Sequence, residues 1–261
     1  MIKRAIEERI HNALAKKKVV TIMGPRQVGK STLASAMIPE DANVLEINGD
    51  NTDVQTMFVN VDDTKMKVLI GNKNFLLVDE AQKIGNVGNM LKIVAEKSDD
   101  VKVIVTGSSA FKLAEAVNES LTGRKREFRL YPLSFKEMAD ETSALEESRL
   151  IDHRLIYGYY PEVVTSPGDE KEVIKELIDS YLYKDVLEEN DIAKQDKLVR
   201  LVQALAFQIG STVSANELAG LVGVDAKTVE RYIDILEKCY IIFTLPSYAK
   251  NQRNELKFAR K

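Results

Sequence analysis

The chain of 261 residues has one cysteine, Cys239, and only two histidines, His11 and His153. A single thiol closes no internal disulfide, which argues against a stapled secreted domain and fits a reducing, cytoplasmic setting. It also excludes a zinc or iron–sulfur site built from a cysteine cluster within one chain. The two histidines lie far apart in sequence, which disfavours a histidine-based metal centre. Long apolar runs are missing too. The longest are strand-sized, such as Val101–Thr106, itself broken by Lys102, far short of the roughly 18 residues that span a bilayer. The first residues, Met-Ile-Lys-Arg-Ala-Ile-Glu-Glu-Arg, mix both charge signs and offer no apolar core for a signal peptide. Charge of one sign is also scarce. The net −3 gives no global pull toward nucleic acid. What is present is a 44% hydrophobic composition, ample for one large domain or two modest ones.

Up to about residue 130, apolar strands alternate with helical periods. Ile2, Ile6, Ile10, Ala13 and Leu14 predict an amphipathic helix over 2–15. Strands are expected at Val19–Met23, Asn43–Ile47, Phe75–Val78 and Val101–Val105. Helices are expected from Lys30 to Met37 and over 62–71 and 87–97. This alternation predicts an α/β fold with a parallel sheet covered on both faces. Beyond 130 the helices lengthen. They are expected over 169–189, 196–209, Ser214–Leu221 and Asp225–Lys238, with prolines at 132, 161 and 167 marking the change.

The run Gly24-Pro25-Arg26-Gln27-Val28-Gly29-Lys30-Ser31 fits G-x-x-x-x-G-K-[ST]. In such a loop the glycines let successive backbone N–H groups turn inward around a β-phosphate, and the following helix adds its positive end. Lys30 would reach the β and γ phosphates, Ser31 would ligate Mg²⁺, and Thr32 would stand near the α-phosphate. A chance glycine-rich turn is the bland alternative, but a strand before the loop and a helix after it give the context the chemistry needs. The strand Leu76-Leu77-Val78 ends in Asp79-Glu80. There Asp79 is placed to hold Mg²⁺ through water, and Glu80 to polarise an attacking water. Two solvated acids are the alternative reading. Glu80 favours hydrolysis over a small-molecule kinase. Asn72-Lys73-Asn74-Phe75 lacks the aspartate of a guanine-reading N-K-x-D element. Gln82 reads equally as a support for a neighbouring subunit or the Mg²⁺ shell and as an ordinary polar helix start.

The next strand ends in Thr106-Gly107-Ser108-Ser109. Where an extra strand separates the phosphate-loop strand from the Mg²⁺ strand, such a tip faces the γ-phosphate, so Thr106 and Ser108 are candidates to orient water. Ser108 or Ser109 reads equally as a helix N-cap. Arg124, within Gly123-Arg124-Lys125-Arg126, is a candidate to neutralise γ-phosphate charge, in cis or from a neighbour, against the ordinary reading of a solvated basic face.

Taken together, Gly-Pro-Arg-Gln-Val-Gly-Lys-Ser, Leu-Val-Asp-Glu-Ala-Gln, Val-Thr-Gly-Ser-Ser, Leu-Thr-Gly-Arg and Tyr-Pro-Leu-Ser-Phe resemble the prokaryotic AAA-type (STAND-like) P-loop ATPases with a C-terminal domain of unknown function. Gly158–Glu162 and Tyr181–Val186 look like that family's linker and helix. The resemblance runs from about residue 5 to 245. It implies ATP with Mg²⁺ at Lys30, Ser31, Asp79 and Glu80, sensing near Ser108, and a phosphate-facing Arg124. It also implies a longer protein, so a chain of 261 residues looks cut after this region, which would explain the basic ending from Lys250 to Lys261.

Ser214 to Glu237 reads as two helices joined by a tight turn at Gly223, with Ser214 and Asp225 as N-caps. Cys239–Leu245 reads as a strand, completing a winged helix. Between Ser211 and Tyr240 three bases (Lys227, Arg231, Lys238) face five acids (Glu217, Asp225, Glu230, Asp234, Glu237), net −2, which is poor for phosphate contact. The expected organisation is therefore an ATPase domain at 1–165, a helical linker at 166–210 and a winged-helix domain at 211–261. It would act as a Mg²⁺-dependent ATPase and nucleotide-driven switch, with a homo-oligomer, DNA or a protein as its partner and no membrane. The alternative is a DNA-binding regulator or defence component that uses ATP for assembly.

Overall fold

The computed structural model describes residues 1–59, 61–98, 100–108, 121–180, 186, 192 and 194–245. Four expectations fall wholly or partly outside them: a helix started by Ser109, the stretch Tyr181–Asp185, the end of the 169–189 helix, and the basic ending from Lys250. Two compact units form, Met1–Lys175 and Glu176–Lys261.

The first unit is built on five parallel strands in the order β2-β3-β4-β1-β5. They are β1 (Val19–Met23), β2 (Val44–Asn48), β3 (Phe75–Asp79), β4 (Lys102–Gly107) and β5 (Lys125–Arg129). All five residues of β1 are buried, as the continuous apolar run Val-Val-Thr-Ile-Met requires of a strand covered on both faces. Helices α1 (Glu7–Ala15) and α2 (Lys30–Ala36) bury Ile10, Ala13, Leu14, Leu33 and Ala34 against Val20, Ile22, Phe75, Leu77 and Ile104. The alternate residues Leu76, Val78, Val103 and Val105 are buried as well. So are Met66 of α4 (Asp63–Ile70) and Met90, Leu91 and Val94 of α5 (Val87–Lys97). A short α3 (Thr52–Met57), which buries nothing, had no apolar period to announce it. β5 carries the alternation around Phe128 and forms an edge strand beside β1.

Five short helices follow: α6 (Phe135–Glu141), α7 (Ala144–Arg149), α8 (Ile151–Tyr157), α9 (Pro161–Thr165) and α10 (Glu170–Ile178). Of the expected helix over 169–189, Glu170–Ile178 is regular α-helix and 179–180 form a π turn, while most of the remainder lies outside the described residues.

The second unit holds α11 (Gln195–Ala206), α12 (Ala215–Val222) and α13 (Ala226–Lys238). Leu198, Leu201, Leu218, Val222, Val229, Tyr232 and Leu236 form their common core. Ser214 accepts from the N–H of Glu217, and Asp225 accepts from the N–H of Thr228. Gly223 closes α12 in the left-handed region at φ 74°, where L side chains are strained. The helix–turn–helix forms as the spacing predicts. The expected strand does not: residues 239–245 are turn, bend and irregular chain. Three of their apolar residues, Cys239, Ile241 and Ile242, instead pack against the helical core.

Candidate functional site

The strand order puts β4 between β1 and β3. Because all strands run the same way, the loop after β1 and the tips of β3 and β4 lie together at the carboxyl end of the sheet, where open α/β sheets bind ligands.

The loop leaves β1 at Gly24 beside β5. A Cβ on Gly24 would stand 2.0 Å from the carbonyl oxygen of Leu130, so only glycine fits. Gln27 and Gly29 take positive φ values of 58° and 88°. Such alternation turns successive N–H groups toward one concavity, a nest for an anion. Among the described residues, no backbone carbonyl accepts from the N–H groups of Gln27, Val28, Gly29, Ser31 or Thr32. The last two belong to the first turn of α2, whose donors have no intrahelical partner. Lys30 is buried at 5% exposure, and its Nζ donates to the Pro25 carbonyl across 2.7 Å. Pro25 and Val28 are buried, Arg26 and Gly29 half-buried, and Gln27, Ser31 and Thr32 exposed.

Ser31 Oγ donates to both carboxylate oxygens of Asp79, at 2.9 and 3.0 Å. Thr106, fully buried on β4, donates to the same carboxylate and accepts from the N–H of Glu80 at 3.3 Å. Glu80 leaves the strand in the left-handed region, φ 47° and ψ 43°, an uncommon conformation for a non-glycine residue. Its Oε2 accepts from Gln82 Nε2 at 2.5 Å and from Ser108 Oγ at 3.2 Å. Gly49 supports this turn from β2. Its N–H donates to the Asp79 carbonyl at 2.8 Å, and a Cβ there would meet the Glu80 carbonyl oxygen at 2.3 Å. At the rim, Lys83 Nζ pairs with Asp50 at 2.5 Å, and that hydrogen bond raises the lysine pKa.

Thus Lys30, Ser31, Asp79, Glu80 and Ser108 meet at one end of the sheet, with the whole loop Gly24–Thr32. Arg124 does not join them. It precedes β5, whose first residue Lys125 stands opposite Val19 at the start of β1, and its guanidinium pairs with Glu96 of α5 at 2.5 Å.

The residue that sequence reasoning missed is Arg4. It is 7% exposed. Its Nη1 donates to the Val28 carbonyl of the loop at 2.8 Å, its Nη2 to the Tyr131 carbonyl at 2.6 Å, and its Nε to Glu137 at 3.1 Å. Nothing in the spacing marks Arg4. Glu137 had a signal in Ser134-x-x-Glu137, which forms a complete capping box.

The donor set suits a nucleotide with Mg²⁺. A cradle of N–H groups and a buried ammonium match phosphates. A hydroxyl beside one carboxylate matches a hard cation that retains waters and phosphate oxygens as its other ligands. Among the described residues there is no cluster of three His, Cys, Asp or Glu able to hold a metal unaided.

This core is an α/β P-loop NTPase core. Residues 16–139 match the family model of the AAA domain, and residues 148–261 match that of a domain of unknown function, DUF8612. Over its whole length the chain is similar in fold to the Walker-type ATPase PABY2304 of Pyrococcus abyssi, at 17% identity, 93% coverage of that chain and a TM-score of 0.62. It is 26% identical over 71% of its length to an uncharacterized protein of Haemophilus influenzae, covering 48% of that relative. It is 22% identical over 94% of its length to the uncharacterized protein MJ1544 of Methanocaldococcus jannaschii, covering 60% of it. The chain therefore spans about half of the length of the curated relatives it matches. Among the described residues, no helix is long and apolar enough to cross a membrane.

Proposed function

We propose that residues 1–165 form an ATPase domain that binds ATP with Mg²⁺ and hydrolyses it. On this reading, residues 166–210 link that domain to a helix–turn–helix module at 211–261, which meets a partner according to nucleotide state. The observation that carries the reading is the direct meeting of Ser31 with Asp79 at the mouth of the loop, with Glu80 at the same strand end.

The loop N–H groups would bind phosphate oxygens, and Lys30 would exchange its Pro25 carbonyl for the β and γ phosphates. Ser31 and Asp79 would hold Mg²⁺, which supplies charge neutralisation when bound. Glu80 would orient a water and accept its proton, and Ser108 would orient the group beside it. Phosphate release checks this directly. Glu80→Gln is expected to slow it by about 100-fold or more while ATP still binds, and Lys30→Ala to abolish binding. Equal rates for wild type and Glu80→Gln would remove Glu80 from the chemistry.

For the second unit, we favour a protein partner. On α13, Lys238 pairs with Asp234 at 2.8 Å and Arg231 lies over the Tyr232 ring, so two of its three cations are engaged at the helix surface. The helix–turn–helix geometry is what supports the second reading, duplex DNA as the partner. It predicts a gel shift at low salt that fades at physiological salt, and no shift at low salt would end it.

A further inference from the structure

We infer that Gln82 is a positioning residue for water activation. It clasps the Glu80 carboxylate to the tip of β4, so that Glu80 keeps its aim only while Gln82 and Ser108 hold it. The inference rests on the reading that Glu80 acts on the attacking water. Glu80 lies just past the last residue of β3, in the left-handed region. Neither strand pairing nor a helix fixes its side chain, so its direction depends on what the side chain touches.

Those contacts form a closed triangle. Gln82 Nε2 donates one hydrogen to Glu80 Oε2 at 2.5 Å and the other to Ser108 Oγ at 2.9 Å. Ser108 Oγ passes its own hydrogen to the same Glu80 Oε2 at 3.2 Å. Both donors fall on Oε2. Among the described residues nothing donates to Oε1, which leaves that oxygen to take a proton.

The amide orientation follows from this chemistry. Turning it over would set the Gln82 oxygen against a carboxylate, acceptor against acceptor. The orientation has a cost. Gln82 Oε1 is buried and has no hydrogen-bond partner among the described residues, and buried acceptors are seldom left so. A polar group kept unsatisfied to hold its other end in place marks a site where local stability yields to function. The clasp also spans the sheet in a useful direction. β4 lies between β3 and β1, so Ser108 ties Glu80 to the strand that borders the phosphate loop's own strand. Thr106 does the same for Asp79 one step below.

The test uses the full chain and five proteins: wild type, Glu80→Gln, Gln82→Met (similar bulk, no donor), Ser108→Ala, and the Gln82→Met/Ser108→Ala double variant. Turnover is read by phosphate release at saturating ATP and Mg²⁺. Affinity is read with a fluorescent ATP analogue, and folding by thermal melting. Gln82→Met is expected to lower kcat by about 10- to 100-fold with KM and nucleotide Kd within about two-fold of wild type. Ser108→Ala attacks the clasp from the other strand and is expected to show the same split. The double variant is expected to be no slower than the worse single one, because all three groups act as a unit.

Wild-type turnover in Gln82→Met would overturn the inference while leaving the ATPase reading intact. So would losses that multiply in the double variant, or a fall in kcat that tracks lost binding and a lowered melting temperature. No hydrolysis by wild type, or full turnover by Glu80→Gln, would overturn the ATPase reading and the clasp with it.

Discussion

At the scale of single residues, Arg4 is the strongest constraint that no motif announces. One guanidinium serves the loop carbonyl of Val28, the chain leaving β5 at Tyr131, and the carboxylate that caps α6. A lysine could not replace it, since three directions are needed from one planar group. Removing one partner of a buried ion pair leaves the other charge uncompensated, so Arg4→Ala is expected to cost roughly 3–5 kcal/mol. It is also expected to weaken nucleotide binding, because the carbonyl of Val28 loses its donor. Chemical denaturation and a nucleotide titration check both halves. Glu137 adds a pH signature. Burial pushes its pKa up, but the N–H groups of Ala5 and Ser134 and the guanidinium of Arg4 outweigh burial and hold it below the ordinary range. A carboxyl depressed in the fold stabilises above its unfolded pKa, about 4.3, and loses that contribution as pH falls through the folded value. Melting temperature followed downward from pH 5 is therefore expected to drop more steeply for wild type than for Glu137→Gln.

At the scale of elements, β1, β3 and β4 could be read from the sequence because each is an apolar run bounded by turn residues and buried on both faces, whereas the edge strand β5, Lys-Arg-Glu-Phe-Arg, has no apolar run and was not expected. The helix–turn–helix was readable for a different reason: Ser214, Gly223 and Asp225 mark its ends with local chemistry that needs no distant partner. The strand expected at 239–245 failed because short apolar runs fit a helix-packing segment as well as a strand, and here the helical core takes them. The candidate site was legible where one loop or strand end carries its own motif, as in Lys30, Ser31, Asp79 and Glu80. It was not legible where position depends on a neighbouring strand. Gly49 shows this. Its role comes only from the pairing of β2 with β3, which brings it under the Glu80 carbonyl. Gly49→Ala is expected to displace that turn and slow phosphate release by about 10- to 100-fold, since a shift of about 1 Å at reacting groups costs that much. Nucleotide binding should persist, because no loop residue is touched. Steady-state kinetics beside a binding titration separate the two, and unchanged turnover would show that the turn yields without moving Glu80.

At the scale of the whole molecule, the parallel sheet gives the first unit two chemically different ends. The carboxyl end gathers the loop, both acids and the hydroxyls of β4. The amino end holds Arg124, set beside Val19 through the pairing of Val19 N–H with the Arg124 carbonyl at 3.0 Å. Four residue steps along β1 separate Val19 from Met23, about 13 Å at the rise of a strand. An arginine side chain engaged with Glu96 on the far helix end does not cross that distance. Within one copy Arg124 therefore has no route to the phosphates, and a catalytic role for it requires that another copy present its amino end to this site. The two cases differ in how rate depends on concentration. In dilute, monomeric protein, Arg124→Ala is expected to release phosphate within about two-fold of wild type, with a small loss of stability from the exposed Glu96 pair. If a neighbour supplies the guanidinium, the specific activity of wild type rises as copies associate and that of Arg124→Ala stays flat. Mass measurement in solution, run with the same titration, identifies where association begins. A large loss of turnover in strictly monomeric Arg124→Ala would contradict the placement of this residue at the amino end of the sheet.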